Sequence, residues 1–117
     1  MGVDALSLDR ALHALADPTR RDIVRRVLGD EQSVSALARS YPMSFAAVQK
    51  HVAVLEQAGL VTKRRRGREQ LVGGVVGQVR AARGALDALE QVWRERVARM
   101  DEILAEDLWT KERDTCL

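Results

Sequence analysis

Apolar residues recur every three or four positions through most of the chain, and one short stretch breaks that rhythm. Leu8, Ala11, Leu12 and Leu15 predict an amphipathic helix over residues 6–16. Asp17-Pro18 then reads as an acidic cap followed by a proline at the first helical position. Ile23, Val24, Val27 and Leu28 supply the apolar stripe of this second helix, and Gly29 is expected to stop it. Ser33 is placed to cap a short third helix with Val34, Leu37 and Ala38 facing inward. Tyr41-Pro42 ends that helix, because a residue before proline disfavours helical backbone. Ser44 caps a fourth helix running to Ala58, with Gly59 as its stop. Its inward stripe is Ala47, Val48, Val52 and Leu55, with His51 at the edge; its opposite stripe is Ala46, Gln49, Lys50, Ala53 and Gln57.

The break comes next. Leu60–Lys63 and Gln70–Val72 are short β-prone runs around an Arg-Gly-Arg turn, which predicts a hairpin closed by Gly73-Gly74. From about residue 78 to 108 the helical pattern returns, with Val79, Ala82, Leu86, Leu89, Trp93, Val97, Met100 and Leu104 stepping by three or four. At ~1.5 Å per residue such a helix is roughly 46 Å long. A domain of this size has a radius of gyration of only ~13 Å, so one protomer cannot cover the stripe and a second copy is expected to. Gly84 is the weak point where this helix would kink or break. The expected organisation is a winged-helix unit over 5–77, a dimerisation helix over 78–108 packing with 6–16, and a tail over 109–117. The fold class is mainly α with a small β-hairpin wing, a winged helix-turn-helix acting as a homodimer, with Leu8, Leu12, Leu86, Leu89, Trp93, Val97, Met100 and Leu104 at the dimer interface.

Composition narrows the function. The 117 residues make one domain with enough apolar content for a core. No apolar run approaches the ~20 residues of a membrane span. MGVDALSLDR lacks the basic flank and apolar stretch of a secretory signal, so a cytoplasmic, nucleoid-associated protein is expected. A single cysteine, Cys116, excludes an internal disulfide framework or a multi-cysteine zinc site within one chain. Only Tyr41, Phe45, Trp93 and Trp109 are aromatic, too few for a single-strand stacking platform. Enzyme chemistry is not expected: no phosphate-cradling glycine loop appears, and neither His13 nor His51 has a recognisable nucleophile partner.

The net charge of +2 is unevenly spread. Residues 44–70 hold six Lys/Arg against two acids, a local +4, whereas residues 90–117 hold five against eight, a local −3. The positive charge peaks at Lys63, Arg64, Arg65, Arg66 and Arg68, five cations in a run of six positions. Such a run on a tight turn repels itself unless a polyanion neutralises it. A short helix, a turn and the capped helix 44–58 form a helix-turn-helix pattern, whose second helix enters the DNA major groove. Gln49 can pair bidentately with adenine, Lys50 can donate to guanine or phosphate, and alanine methyls can meet thymine methyls. Ser44 and the free N–H groups beside it can hold a phosphate.

Leu15-Ala16-Asp17-Pro18-Thr19-Arg20 resembles a signature of the ArsR/SmtB family of winged-helix repressors. Residues 43–61, MSFAAVQKHVAVLEQAGLV, resemble its recognition helix and exit, and Lys63–Arg68 resembles its basic wing. Trp93-Arg94-Glu95-Arg96 with Met100-Asp101 resembles the last helix of its metal-independent branch. The resemblance covers about residues 8–106. It implies a homodimeric repressor binding an inverted repeat in double-stranded DNA, with Ser44, Phe45, Ala46, Gln49, Lys50 and His51 at the DNA surface. Gln49 stands where a small residue is usual and Phe45 where a polar one is common, so the target sequence does not carry over. Phe45 either wedges against thymine methyls or packs on its own helix. The second strand ends Val72-Gly73-Gly74 in place of the usual aromatic-rich end.

Two rival readings remain at this stage: a winged-helix module that binds proteins and not DNA, and a redox-responsive regulator acting through Cys116. The first has no need of Lys63–Arg68. No cofactor, membrane or metal partner is expected, and the inducer is not written in the chain. The third helix reads Val34-Ser35-Ala36-Leu37-Ala38-Arg39 with no metal ligand, and the last has no histidine. Zinc, nickel, cadmium or arsenite at stoichiometric levels is therefore expected to change DNA affinity less than twofold in anisotropy titrations with an EDTA control. A tenfold loss with any one of them would contradict this.

Overall fold

The computed structural model describes residues 5–115, with side chains described to residue 109. Its elements are α1 (Ala5–Ala14), α2 (Pro18–Gly29), β1 (Gln32–Ser33), α3 (Val34–Arg39), α4 (Phe45–Gln57), β2 (Val61–Arg66), β3 (Glu69–Gly74) and α5 (Val76–Thr115). Cys116 lies outside the described residues. The chain forms two compact units, one extending to Arg83 and the other from Gly84. No described helix is long and apolar enough to cross a membrane.

In the first unit, short polar side chains set the helix starts. Asp17 accepts from the Arg20 backbone N–H at 2.9 Å, Ser33 from Ala36 at 3.0 Å and Ser44 from Ala47 at 3.1 Å. The corner between α1 and α2 is closed from the other side as well. The Arg20 guanidinium donates to the carbonyls of Ala14 and His13, and Arg21 donates to that of Leu15. A cation thus sits against the last carbonyls of α1, that of His13 also accepting from the Ala16 backbone N–H. The Leu-Ala-Asp-Pro-Thr-Arg segment is therefore a double cap, closing one helix and opening the next.

Ile23, Leu37, Val48, Val52, Leu55, Leu60, Val61 and Val72 are the largest fully buried side chains, drawn from α2, α3, α4 and the sheet. Between α2 and α3, the Tyr41 hydroxyl donates to Asp22 Oδ2 at 2.6 Å, and Arg25 and Arg26 donate to the same carboxylate. The Arg26 guanidinium also stacks 5.4 Å from the centre of the Tyr41 ring. These donors, the Tyr41 hydroxyl foremost, hold the Asp22 carboxyl far below the usual carboxylate range. At the start of α5, Gln78 Nε2 donates to Ala58 O at 3.0 Å and lies 3.1 Å from Ser7 Oγ, tying that start to α1 and the end of α4.

The sheet has three antiparallel strands in the order β1-β3-β2, with Gln32 opposite Val72 and Arg64 opposite Leu71. The hairpin is longer than the two short runs predicted, and β1 is an addition to the predicted elements. Gly67 turns the hairpin at φ 63°. Gly74 lets α2 approach: a Cβ there would stand 2.6 Å from Leu28 Cδ2 and 2.9 Å from Leu28 Cα. Gly59, at φ 74°, ends α4 as expected, with Leu60 N–H bonding Leu55 O and Gly59 N–H bonding Glu56 O.

Some details differ from the pattern reading. Gly29 is the last residue of α2, and Asp30, in extended backbone, is the cap. α1 buries Ala11 and Ala14, whereas Leu12 is exposed and Leu8 half-buried. The predicted boundary at 108 is replaced by a helix to Thr115, and the backbone is helical through Gly84.

In the second unit, Leu86, Leu89, Trp93, Met100, Leu104 and Leu108 are exposed and Val97 is half-buried. With Val97 they repeat every eleven residues, close to three helical turns, so the stripe stays on one face. Arg94 pairs with Glu90, and the Arg96 guanidinium stacks on the Trp93 ring at 5.9 Å.

The Asp22 cluster sets a pH dependence. Because the folded carboxyl titrates below its ordinary 3.8, the unfolded chain takes up the proton first as pH falls. Its contribution is in place above that pH and declines progressively below it. Asp22→Asn is expected to cost about 1 kcal/mol at neutral pH, allowing for the side chain's partial exposure. It should also flatten the acid limb of stability, measured by urea unfolding across pH.

Candidate nucleic-acid interface

The outer face of α4 follows from its inner one. Val48, Val52 and Leu55 are buried, so the helical period turns Phe45, Ala46, Gln49 and Lys50 to solvent. Ser44 is also exposed, its oxygen accepting the cap bond. His51 is half-buried on the side of α4 facing the start of α2. The Asp17 carboxyl is lowered first by the Arg20 backbone N–H and further by the charges of His51 and Arg20. Among the described residues, no three His, Cys, Asp or Glu side chains gather into a metal site.

Alternation along β2 divides the basic run between two sides of the hairpin. Lys63 and Arg65 share a side with Val61, and Arg64 and Arg66 take the other. Lys63 Nζ is 3.4 Å from Glu56 on α4. Arg64 is held bidentately by Glu31, at 2.6 and 3.0 Å. The Glu31 carboxyl is lowered chiefly by those bonds, and the Arg64 guanidinium is raised by them. The Glu31 side chain crosses the sheet at Gly73, whose absent Cβ would lie 3.5 Å from Oε2. Arg65 Nε makes a 3.4 Å bond to Gly67 O. Arg66 and Arg68, at the turn, are in no ion pair among the described residues, although the Arg66 charge also helps to lower the Glu31 carboxyl. Two of the five cations are thus neutralised within the protein.

Arg65 and Arg68 also line a cleft of about 250 Å³ between the hairpin and the start of α4, with Val34, Ser35, Phe45, Gln49, Glu69 and Gln70. The fold therefore brings the polar stripe of α4 and part of the basic run to one surface. Glu31, Glu56, Ser35, Glu69 and Gln70 pair with the basic run or line the cleft, and the pattern reading misses them. Glu31 lies 33 positions from Arg64 in the chain. Only the three-stranded pairing brings them together, and no spacing rule in the sequence announces it. The expected interface residues Leu86, Leu89, Trp93, Met100 and Leu104 lie on the stripe of the second unit.

Residues 15–64 match the model of a helix-turn-helix domain. A 61-residue stretch is 49% identical to the HTH-type transcriptional regulator Rv2034 of Mycobacterium tuberculosis, covering 52% of this chain and 57% of that one. The chain thus spans little more than half the length of that curated relative. An ArsR-like transcriptional regulator from Rhodococcus sp. RHA1 is 30% identical at a TM-score of 0.70, covering 84% of this chain and 92% of that one. A homodimeric winged helix-turn-helix DNA-binding domain from Mycobacterium bovis is 25% identical at a TM-score of 0.60, covering 81% and 90%.

The internal pairing of the wing leads to a graded expectation for salt titrations of DNA affinity. Arg66→Ala or Arg68→Ala should flatten the log–log slope by ~0.9 for each phosphate left without its cation. Lys63→Ala and Arg64→Ala should each flatten it by less than half as much, because Glu56 and Glu31 already occupy those cations. Equal effects at all four positions would contradict this order.

Proposed function

We propose that this chain, which belongs to the ArsR family of winged-helix transcriptional regulators, is a homodimeric repressor that binds an inverted-repeat operator in the cytoplasm. The observation that carries this reading is the exposed Gln49–Lys50 face of α4, set beside a cationic hairpin across one cleft. α4 lies in the major groove, where Gln49 pairs with adenine and Lys50 with guanine or phosphate. Ser44, Ala46 and His51 flank it, and Arg65, Arg66 and Arg68 grip the adjoining backbone. A promoter covered in this way is closed to polymerase.

Support for a dimer comes from the apolar stripe of the second unit, where Leu89 is 70% exposed. Covering such side chains is worth ~1.5–3 kcal/mol each, and a two-fold interface counts every one twice. The homodimeric M. bovis relative points the same way. Two recognition helices related by such an axis would meet half-sites ~34 Å apart or a small multiple of that.

Selection of DNA from a random pool by the purified protein, followed by sequencing, tests the whole reading. An inverted repeat is the expected product, and a pool left unenriched would sink the DNA role. Sedimentation should give a dimer at micromolar concentration. Leu89→Asp buries a charge twice without a partner, so it should give monomers whose operator affinity falls by tenfold or more. A wild-type monomer that binds the operator at full affinity would refute the dimer.

A further inference from the structure

Packing accounts for only part of the position that Phe45 occupies. It is the first residue of α4, directly after the Ser44 cap, and 47% of its surface is exposed. The core takes Val48 from the same turn and leaves the phenyl ring outside. The ring stands in the wall of the cleft with Gln49, Arg65, Arg68, Glu69 and Gln70. Two guanidinium groups against the single carboxylate of Glu69 leave this cleft cationic, which argues against an apolar protein segment or a lipid chain as its occupant. They fit a polyanion that carries an apolar projection of its own.

Double-stranded DNA has that combination. Its major groove displays one prominent apolar group, the 5-methyl of thymine. Gln49 lies four positions after Phe45, about one turn along the same side of the helix, or ~6 Å. The base-pair rise is ~3.4 Å, so these two side chains reach base pairs one or two steps apart. We infer that Phe45 is a specificity residue that covers a thymine 5-methyl one or two base pairs from the adenine bound by Gln49. This rests on the DNA-binding reading above and adds to it a named base and a named atom group. The neighbouring cations hold the phosphates while the ring excludes water from the methyl.

The test removes one methyl at a time. In the selected operator each thymine is replaced singly by deoxyuridine, and affinity is measured by anisotropy at fixed salt. The wild-type protein should lose about fourfold at one position in each half-site, the worth of one buried methyl. Phe45→Ala should bind the unmodified operator more weakly by a similar factor and be indifferent to uracil at that position. Phe45→Leu should keep part of the sensitivity, and Gln49→Ala should keep all of it. Since Phe45→Ala removes no charge, its salt slope should match the wild type, and its circular dichroism shows whether the fold is kept. A flat uracil profile for the wild type, or an unchanged profile in Phe45→Ala, overturns this inference while leaving sequence-specific binding in place. Failure to select any sequence overturns the DNA reading and this inference with it.

Discussion

A helix can present a defined face to a ligand only if its opposite face is fixed. In this chain the fixing is done by α4's burial of Val48, Val52 and Leu55. Three apolar side chains at helical spacing set the rotation of the helix about its own axis. The Ser44 cap sets where it starts, and the left-handed Gly59 sets where it stops. With rotation and both ends determined, the directions of Phe45, Ala46, Gln49 and Lys50 follow from 3.6 residues per turn. The other devices of the first unit serve that helix. The double cap at Asp17 and Arg20 places α1 and α2 around it. The Asp22 cluster locks the end of α3 to α2 just before the turn into α4.

The electrostatics of the hairpin are less generous than its composition. A run of five cations invites the picture of five phosphate contacts. Glu31 and Glu56 oppose two of them already, on either side of the sheet. The cations outside any ion pair among the described residues include Arg66 and Arg68 at the turn, where Glu69 lies opposite Arg66 and also lines the cleft beside Phe45. Attraction to DNA is thereby focused on the part of the hairpin that projects farthest from the core. The rest of the positive charge is committed to holding the strands against α4 and the start of β1.

What the chain discloses by itself divides along the range of the forces involved. The caps at Asp17, Ser33 and Ser44 join a side chain to a backbone group three positions away, so they are visible in sequence. The inward stripe of α4 is visible for the same reason. β1 is not, since two residues carry no periodicity and the strand exists only because the edge of β3 is there to pair with. The face of α1 misleads because its larger leucines advertise burial. The space beside α4 instead takes the small Ala11 and Ala14. Gly29 has the look of a stop, but the turn after α2 is made with Asp30 in extended backbone and needs no left-handed residue. The ring of Phe45 can be placed only once the fold shows that its neighbours leave nearly half of it uncovered.

The order β1-β3-β2 leaves β2 on the outside of its sheet, with one row of backbone donors and acceptors facing away from β3. Such a row is a template on which another strand can grow, and sheet proteins without protection there pair edge to edge and aggregate. Lys63, Arg64, Arg65 and Arg66 all lie on this strand. A second copy approaching in the same register would bring like charges together at four of the strand's six positions. The basic run therefore guards solubility as well as attracting a polyanion. Edge protection accounts for charge on the strand itself but not for Arg68, which lies beyond it on the turn.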